Sequence, residues 1–332
     1  MEILGQGSGT GKILLFGEHA AVYGYPALGL SLPWTTTVKI AKSEKRHWEI
    51  PLLAPSQSSQ LLKLIHYLEK TFPAIKKLGA LKIMIESDIP MGVGFGSSAA
   101  LCVAMVKAGL SLIAEQVIQK TIGRSLGSVW ELAHRAEQLF HGRPSGIDTC
   151  ISLMGNLRSF KFTKRGLPQN SEITGSPFYL VVGAIPRVGN TGEHIKAVAK
   201  LARAGDKTVR KAIAELGAIA SQATQLLKKY RTETTIKLGE LANIAQEILC
   251  QLNLSTELLE RILKKGIAAG ATGGKLSGSG GGGAFYLFAR SLESAREIAM
   301  AVGGALSEIE YPLITPVSVL ERSNNGAKLI LV

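Results

Sequence analysis

The run Gly92-Val93-Gly94-Phe95-Gly96-Ser97-Ser98-Ala99-Ala100 joins backbone that lacks Cβ atoms to two hydroxyls, immediately before an apolar stretch of helix-forming residues. Glycines let the main chain approach a ligand closely, and a helix start offers unpaired N–H groups at the positive end of a dipole, so this segment can cradle a phosphate. A tight strand-to-helix connection capped by serine fits the same residues. A second run, Lys275-Leu276-Ser277-Gly278-Ser279-Gly280-Gly281-Gly282-Gly283, stands directly before a predicted strand over Ala284 to Phe288, and both a flexible linker and a close-packed ligand loop fit it. Two acids stand out beside these loops. Trp130, Ala133, Glu137 and Phe140 are spaced to share one face of a predicted helix over Ser128 to His141. A carboxylate on an apolar face is costly unless it meets a cation, such as a phosphate-bound metal, or reaches water at the edge of the stripe. The turn-rich run His141-Gly142-Arg143-Pro144-Ser145-Gly146-Ile147-Asp148 then either holds Asp148 in a fixed pose for chemistry or forms an ordinary capped turn.

Several other chemistries are excluded by spacing. Gly5 to Lys12 imitates a Walker A loop, but GxxxxGK needs glycine where Gln6 stands and Ser or Thr where Ile13 stands. Gly92 to Gly96 reads GxGxG rather than the dinucleotide fingerprint GxGxxG, and no acid is well placed to hold a ribose, which argues against a nicotinamide oxidoreductase. The three cysteines, Cys102, Cys150 and Cys250, are odd in number and far apart, so they offer neither a disulfide framework nor a CxxC site. They fit a reducing, cytoplasmic compartment, and no export signal is visible at the N-terminus.

These residues need a scaffold of some size. A chain of 332 residues has room for about two domains, and 46% hydrophobic against 19% charged residues describes a globular protein. Lys12 to Phe16, Ala80 to Ser87 and Phe178 to Ile185 read as strands. Met91 to Ala114 has membrane-spanning length, but four glycines, a Ser-Ser pair and Lys107 make it a glycine loop followed by a buried helix. The Ser128–Glu131 spacing predicts a capping box and Gly142 a helix stop. From Gly192 to Gly270 helical patterns follow one another, broken near Gly205, Thr232 and Asn253. The polar, proline-bearing stretch from Arg158 to Pro177 is the expected boundary, dividing the chain into 1–170 and 171–332. The formal charge of +13 favours anionic partners. Ten basic residues crowd between Lys196 and Lys237 at helical spacing with only Tyr230 as an aromatic among them, the pattern of solvated helix faces rather than of a nucleic-acid surface.

Four segments taken in order resemble the small-molecule kinases named after galactokinase, homoserine kinase, mevalonate kinase and phosphomevalonate kinase. They are Gly11-Lys12-Ile13-Leu14-Leu15-Phe16-Gly17-Glu18-His19-Ala20-Ala21-Val22-Tyr23-Gly24, the Gly92 to Ala100 loop, the His141 to Asp148 segment and the Lys275 to Gly283 loop. The first and third are most similar to the mevalonate kinase branch. The resemblance implies an α+β fold of two domains: an N-terminal ribosomal-protein-S5-like α/β domain for ATP and catalysis, and a C-terminal ferredoxin-like α+β domain on the substrate side. It further implies phosphorylation of the 5-hydroxyl of mevalonate by ATP and Mg²⁺, on the route to isoprenoids. Asp148 would take the hydroxyl proton, with Lys12 beside it easing the developing alkoxide. Ser98 and Glu137 would hold Mg²⁺. Gly92, Gly94, Gly96, Ser97 and Ser98 would wrap the triphosphate, with Ser87 near the nucleotide and Gly278 and Gly280 in a closing loop. Glu18, His19 and Thr191 would line the acceptor pocket, and Arg187 is the candidate partner for the substrate carboxylate. The resemblance implies no nucleic-acid or membrane partner, and a homodimer as the family's common habit. Two departures are visible: Gly9-Thr10-Gly11-Lys12 replaces the usual Ala-Pro-Gly-Lys, and Ser277 and Ser279 replace Thr and Ala. A phosphomevalonate or homoserine kinase is the alternative within the family, and a nucleic-acid-binding protein on a degenerate kinase fold is the alternative outside it.

Overall fold

The computed structural model describes residues 2–44, 48–52, 54–113, 126–142, 144–163, 166–175, 177–187, 191–307, 317–323 and 326–330. The chain opens with two long strands, β1 (Ile3–Phe16) and β2 (Ala27–Lys42), followed by α1 (Pro55–Thr71), β3 (Leu81–Ser87), α2 (Ser97–Ser111), α3 (Leu126–His141), α4 (Ile147–Met154), β4 (Leu157–Lys161) and β5 (Gln169–Glu172). These strands form one five-stranded sheet in the order β1-β2-β4-β5, with β3 also pairing β2. The strand predicted over Ala80 to Ser87 is found: Leu81 and Ile83 are buried, and Ile83 lies opposite Ile40 in antiparallel register.

The remaining chain runs β6 (Phe178–Ile185), α5 (Thr191–Ala204), α6 (Lys207–Lys228), α7 (Thr234–Gln251), α8 (Glu257–Ala268), β7 (Gly273–Leu276), β8 (Gly283–Ala289), α9 (Leu292–Ser307), β9 (Ser318–Ser323) and β10 (Gly326–Ile330). Its sheet is antiparallel in the order β10-β9-β6-β8-β7. Leaving β10 aside, the first strand lies between the fourth and the third, which is the ferredoxin-like arrangement expected from the resemblance. Helix breaks fall at Gly205, around Thr232 and around Asn253, as the sequence predicts. All ten basic residues between Lys196 and Lys237 are exposed, as solvated helix faces require. No described helix is long and apolar enough to cross a membrane.

Two compact units emerge, each discontinuous in sequence: residues 1–12, 34–89 and 96–155 form the first, and 13–33, 90–95 and 156–332 the second. Both β1 and β2 therefore pass from one unit to the other. The polar stretch after Arg158, expected as a boundary, folds as the β4–β5 hairpin, with Arg158 and Glu172 ion-paired at 3.2 Å.

In the first unit, α1, α2 and α3 enclose a core that includes Leu64, Leu68, Ile83, Val103, Val106 and Ala133. The glycines of Gly5 to Lys12, rejected above as a phosphate loop, have a packing role. Gly5, Gly7 and Gly9 line one face of β1, where an added Cβ would collide with the carbonyl oxygens of Ala108, Ala104 and Ala100 on α2. Strand period 2 and helix period 4 thus match three small residues to three small residues, and strand and helix backbones meet directly. Lys107 Nζ donates to Ser8 O at 3.0 Å and Ser111 Oγ accepts from Gln6 N at 3.0 Å, fixing the register.

One expected cap is corrected. Helix α3 begins at Leu126, so Ser128 lies inside its first turn, and Glu131 makes an ion pair with Arg135 four residues on instead of closing a capping box. Its C-terminus is as predicted: Gly142 takes φ +66° and its N–H donates to Gln138 O at 3.0 Å.

Candidate active site

In the first unit, β1 delivers Lys12 and the second residue of α4 delivers Asp148. The start of α4 is fixed by Gly146, whose φ of +83° suits glycine, and whose carbonyl accepts from the Trp130 indole at 2.9 Å and the Thr149 hydroxyl at 3.2 Å. Ser152 Oγ, one turn further along α4, donates to Thr10 O at 2.6 Å. That bond ties α4 to β1 two residues before Lys12. Lys12 Nζ then lies 3.0 Å from Asp148 Oδ2, with the lysine side chain 5% exposed and the aspartate 34%. Gly96 is needed for this arrangement: at φ +80° it precedes α2, and a Cβ there would come within 2.7 Å of Lys12 Cγ. The third glycine of the predicted phosphate loop thus also makes room for the lysine. A desolvated ammonium against a partly exposed carboxylate is an arrangement suited to taking a proton from an alcohol while easing the negative charge that develops.

Glu137 is buried at 2% exposure on the predicted inner face of α3, and its Oε2 has no hydrogen-bond partner among the described residues. Burial, and after it the charge of Asp148, push its pKa up from 4.5 to about 8, while Lys12 pulls the other way. A buried acid without a proton donor fits a site for a hard cation, and carboxylate and hydroxyl oxygens are the donors that Mg²⁺ takes. No group of three or more His, Cys, Asp or Glu side chains that could hold a metal occurs among the described residues, and Mg²⁺ bound with a nucleotide commonly uses only one or two carboxylates plus phosphate oxygens. The hydroxyl of Ser98, in the first turn of α2, lies 2.9 Å from Nε2 of His141 at the end of α3. The sequence treats His141 only as the end of a helix; its position four residues after Glu137 is the signal that both side chains leave α3 on one face. Ser97 begins α2. Ser87, at the end of β3, pairs with Thr36 Oγ1 at 2.8 Å and accepts from Ile89 N at 3.2 Å, closing the turn that leads toward Pro90.

The raised pKa of Glu137 has a consequence for stability. Its folded value lies above its unfolded one, so its stabilising contribution is fully present below pH 4.5 and is lost as pH rises through about 8. Glu137→Gln removes that dependence. In buffer without metal or nucleotide, the melting temperature of the variant should match the parent near pH 5 and exceed it by about 2 °C or more at pH 8.5. A difference that stays constant with pH would contradict the assignment.

In the second unit, Gly92 and Gly94 adopt φ of +79° and +104°, and Gly94 packs beside the Arg187 guanidinium. Val93 O accepts from Ala284 N at 2.6 Å, joining this loop to the start of β8. Glycines 278, 280, 281, 282 and 283 all take positive φ. Gly281 N donates to Leu254 O at 2.8 Å, and Cβ atoms at 280, 282 and 283 would collide with the carbonyls of Leu254, Pro186 and Val93. Of the two readings left open by the sequence, the close-packed loop is therefore the one found. His19 sits at φ +58°, with Nε2 3.2 Å from Ser279 O. Burial, opposed by that hydrogen bond, brings its pKa down to about 4, so the ring is neutral and Nε2–H donates.

Lys275 and Glu18, 257 residues apart, form an ion pair with side-chain exposures of 0% and 1%. Lys275 Nζ also donates to Leu276 O at 2.6 Å and stands 5.6 Å from the centre of the Tyr286 ring. The carboxylate expected to line the acceptor pocket is thus buried and engaged by Lys275. Around it, Ser277 Oγ exchanges hydrogen bonds with Leu14 N and O at 3.0 and 2.9 Å, and Tyr286 OH donates to Leu15 O. These grips were not apparent from local sequence pattern. Thr191 begins α5, and its side chain lies outside the described residues.

A glycine-lined helix start, a lysine–aspartate pair and a buried acid on a two-sheet scaffold are the equipment of an ATP-dependent small-molecule kinase. The family model for the GHMP kinases N terminal domain matches residues 60–156, and that for the GHMP kinases C terminal matches residues 223–307. The mevalonate kinase of Pyrococcus horikoshii is 30% identical over 334 residues, covering 94% of this chain and 95% of that one. The mevalonate kinase of Methanothermobacter thermautotrophicus is 31% identical over 280 residues, covering 83% and 87%. Among solved structures, that of L. major mevalonate kinase in complex with R-mevalonate aligns with a TM-score of 0.75 at 24% identity, covering 92% of this chain and 94% of that one. This chain belongs to the GHMP kinase family.

Proposed function

We propose that the protein transfers the terminal phosphoryl group of ATP to the 5-hydroxyl of mevalonate, giving 5-phosphomevalonate and ADP. The observation that carries the chemistry is the 3.0 Å contact between Lys12 and Asp148, positioned by Gly96 and by the Ser152–Thr10 bond. The choice of acceptor rests on the mevalonate kinases to which the chain is 30–31% identical. Asp148 accepts the hydroxyl proton, and Lys12 stabilises the charge that builds on the attacking oxygen. Gly92, Gly94 and Gly96 with Ser97 and Ser98 wrap the phosphates, Gly278 and Gly280 close over them, and Ser87 stands near the nucleotide. Glu137 and Ser98 would hold Mg²⁺, which when bound neutralises charge on the β- and γ-phosphate oxygens. Ser98, whose hydroxyl lies 2.9 Å from His141 Nε2, would turn to the metal. His19 donates to the acceptor side or to Ser279, Thr191 adds a hydroxyl there, and Glu18 supports that side through Lys275. Arg187, beside Gly94, is the cationic partner for the substrate carboxylate. Residues 1–170 make the ATP-binding and catalytic domain and 171–332 the substrate-side domain, a division that falls between the two family-model matches. Cys102, Cys150 and Cys250, which form no disulfide among the described residues, support a cytoplasmic setting, and the family's common habit supports a homodimer.

A substrate panel tests the reading. With Mg-ATP, ADP release should be at least about 100-fold faster in kcat/KM for mevalonate than for phosphomevalonate, homoserine or galactose, the scale on which a site that pairs a substrate's polar groups rejects analogues. Faster turnover of phosphomevalonate or homoserine would overturn the choice of acceptor and leave the kinase chemistry in place.

A further inference from the structure

The second unit contains a cavity of about 610 Å³ lined by Tyr230, Arg231, Thr232, Thr235, Ile236 and Arg290. It lies where the connection from α6 to α7 meets the residue following β8, and it shares no lining residue with the glycine loops or with His19. Its chemistry is one-sided. Two arginines line it, and no acidic residue does.

The nearby acids are engaged away from it. On the flanking helices Lys211 pairs with Glu215 at 3.7 Å and Lys237 with Glu233 at 3.6 Å. Glu233, adjacent in sequence to the cavity, is thus engaged by Lys237. Neither Arg231 nor Arg290 has an ion pair among the described residues. The floor is polar and fixed. Thr235 is 6% exposed, its hydroxyl lies 3.3 Å from Tyr230 OH, and its carbonyl accepts from Thr272 Oγ1 at 3.2 Å, which anchors it to the residue before β7. Thr234 Oγ1 accepts from Arg231 N at 2.8 Å, holding the backbone that carries the first guanidinium.

Two planar forks, three hydroxyls and one isoleucine wall make a site for a compact multivalent anion. Guanidinium groups bind phosphate oxygens in pairs, hydroxyls supply further donors, and like charges gathered on one cavity are relieved by a ligand carrying at least two negative charges. We propose that this cavity binds a phosphate-bearing small molecule, a diphosphate or phosphomonoester, at a place separate from the nucleotide loops. The inference rests on the arginines and not on the identity of the acceptor above.

Diphosphate is the probe. Titrated into the full chain at constant ionic strength, it should shift the backbone amide NMR signals of Thr232, Thr235 and Arg290 in a saturable way. In an Arg231→Gln/Arg290→Gln double variant those shifts should vanish, while signals of residues 94–98 respond as in the parent and the melting temperature is unchanged. Each single variant should weaken binding by about tenfold, the scale of one lost charge-assisted contact. Amides at 232, 235 and 290 that stay still, that move equally in the double variant, or that move equally with chloride at the same ionic strength would each overturn the proposal. Repeating the titration with inorganic phosphate distinguishes the two ligand classes: tighter binding of diphosphate assigns the longer anion, and equal binding assigns the phosphomonoester.

Discussion

Asp148→Asn should bind ATP as the parent does and lose about 10³-fold in kcat, the scale of a general base removed from a phosphoryl or proton transfer. The amide keeps the shape of the carboxylate, so α4, which is held by Trp130 and Ser152 and not by Asp148, should be undisturbed. What is lost is the oxygen that takes the proton and the ionic contact with Lys12 at 3.0 Å. Nucleotide affinity from equilibrium titration and turnover from coupled ADP release give the two readouts. Retention of parental kcat would remove Asp148 from the reaction. A fall in ATP affinity parallel to kcat would place it in binding and not in chemistry.

The second large effect concerns folding. Lys275→Met leaves the carboxylate of Glu18 enclosed without its cation, in a place 2% exposed. Breaking one side of a buried pair costs about 3–5 kcal/mol, because the remaining charge is uncompensated, whereas replacing both partners by apolar residues of similar volume is often near neutral. A Glu18→Met/Lys275→Met double variant should therefore recover most of the stability lost by Lys275→Met alone, measured as the midpoint of denaturant unfolding. Additive losses in the double variant would mean that the two side chains act independently.

Much of this site is readable from local pattern. The apolar periodicity of α3 exposes Glu137 as an acid on the wrong face, and burial confirms it. The glycine spacing before Ser97 announces a loop with positive φ leading into a helix, and Gly92, Gly94 and Gly96 all adopt it. The less readable features depend on partners remote in sequence. Nothing near Lys275 indicates that it would meet Glu18, since the pair is made by the antiparallel return of β7 against β8 and by Ser277 and Tyr286 gripping β1. The capping-box spacing at Ser128 is misleading for a related reason: the chain can continue one turn earlier, and Glu131 finds Arg135 instead. Likewise the polar residues after Arg158 read as a boundary because a short edge hairpin carries few apolar side chains. Composition cannot separate such a hairpin from a connection.

Gly5, Gly7 and Gly9 leave Lys12 mounted on a joint between two main chains. Most residues can be accommodated by small rotamer adjustments in their neighbours, but here the first atoms an added Cβ would meet are main-chain oxygens, those of Ala108, Ala104 and Ala100. A side chain added at position 5, 7 or 9 would therefore move main chain in the strand that carries Lys12, so adaptation to new acceptors is better sought in the loops than in this seam.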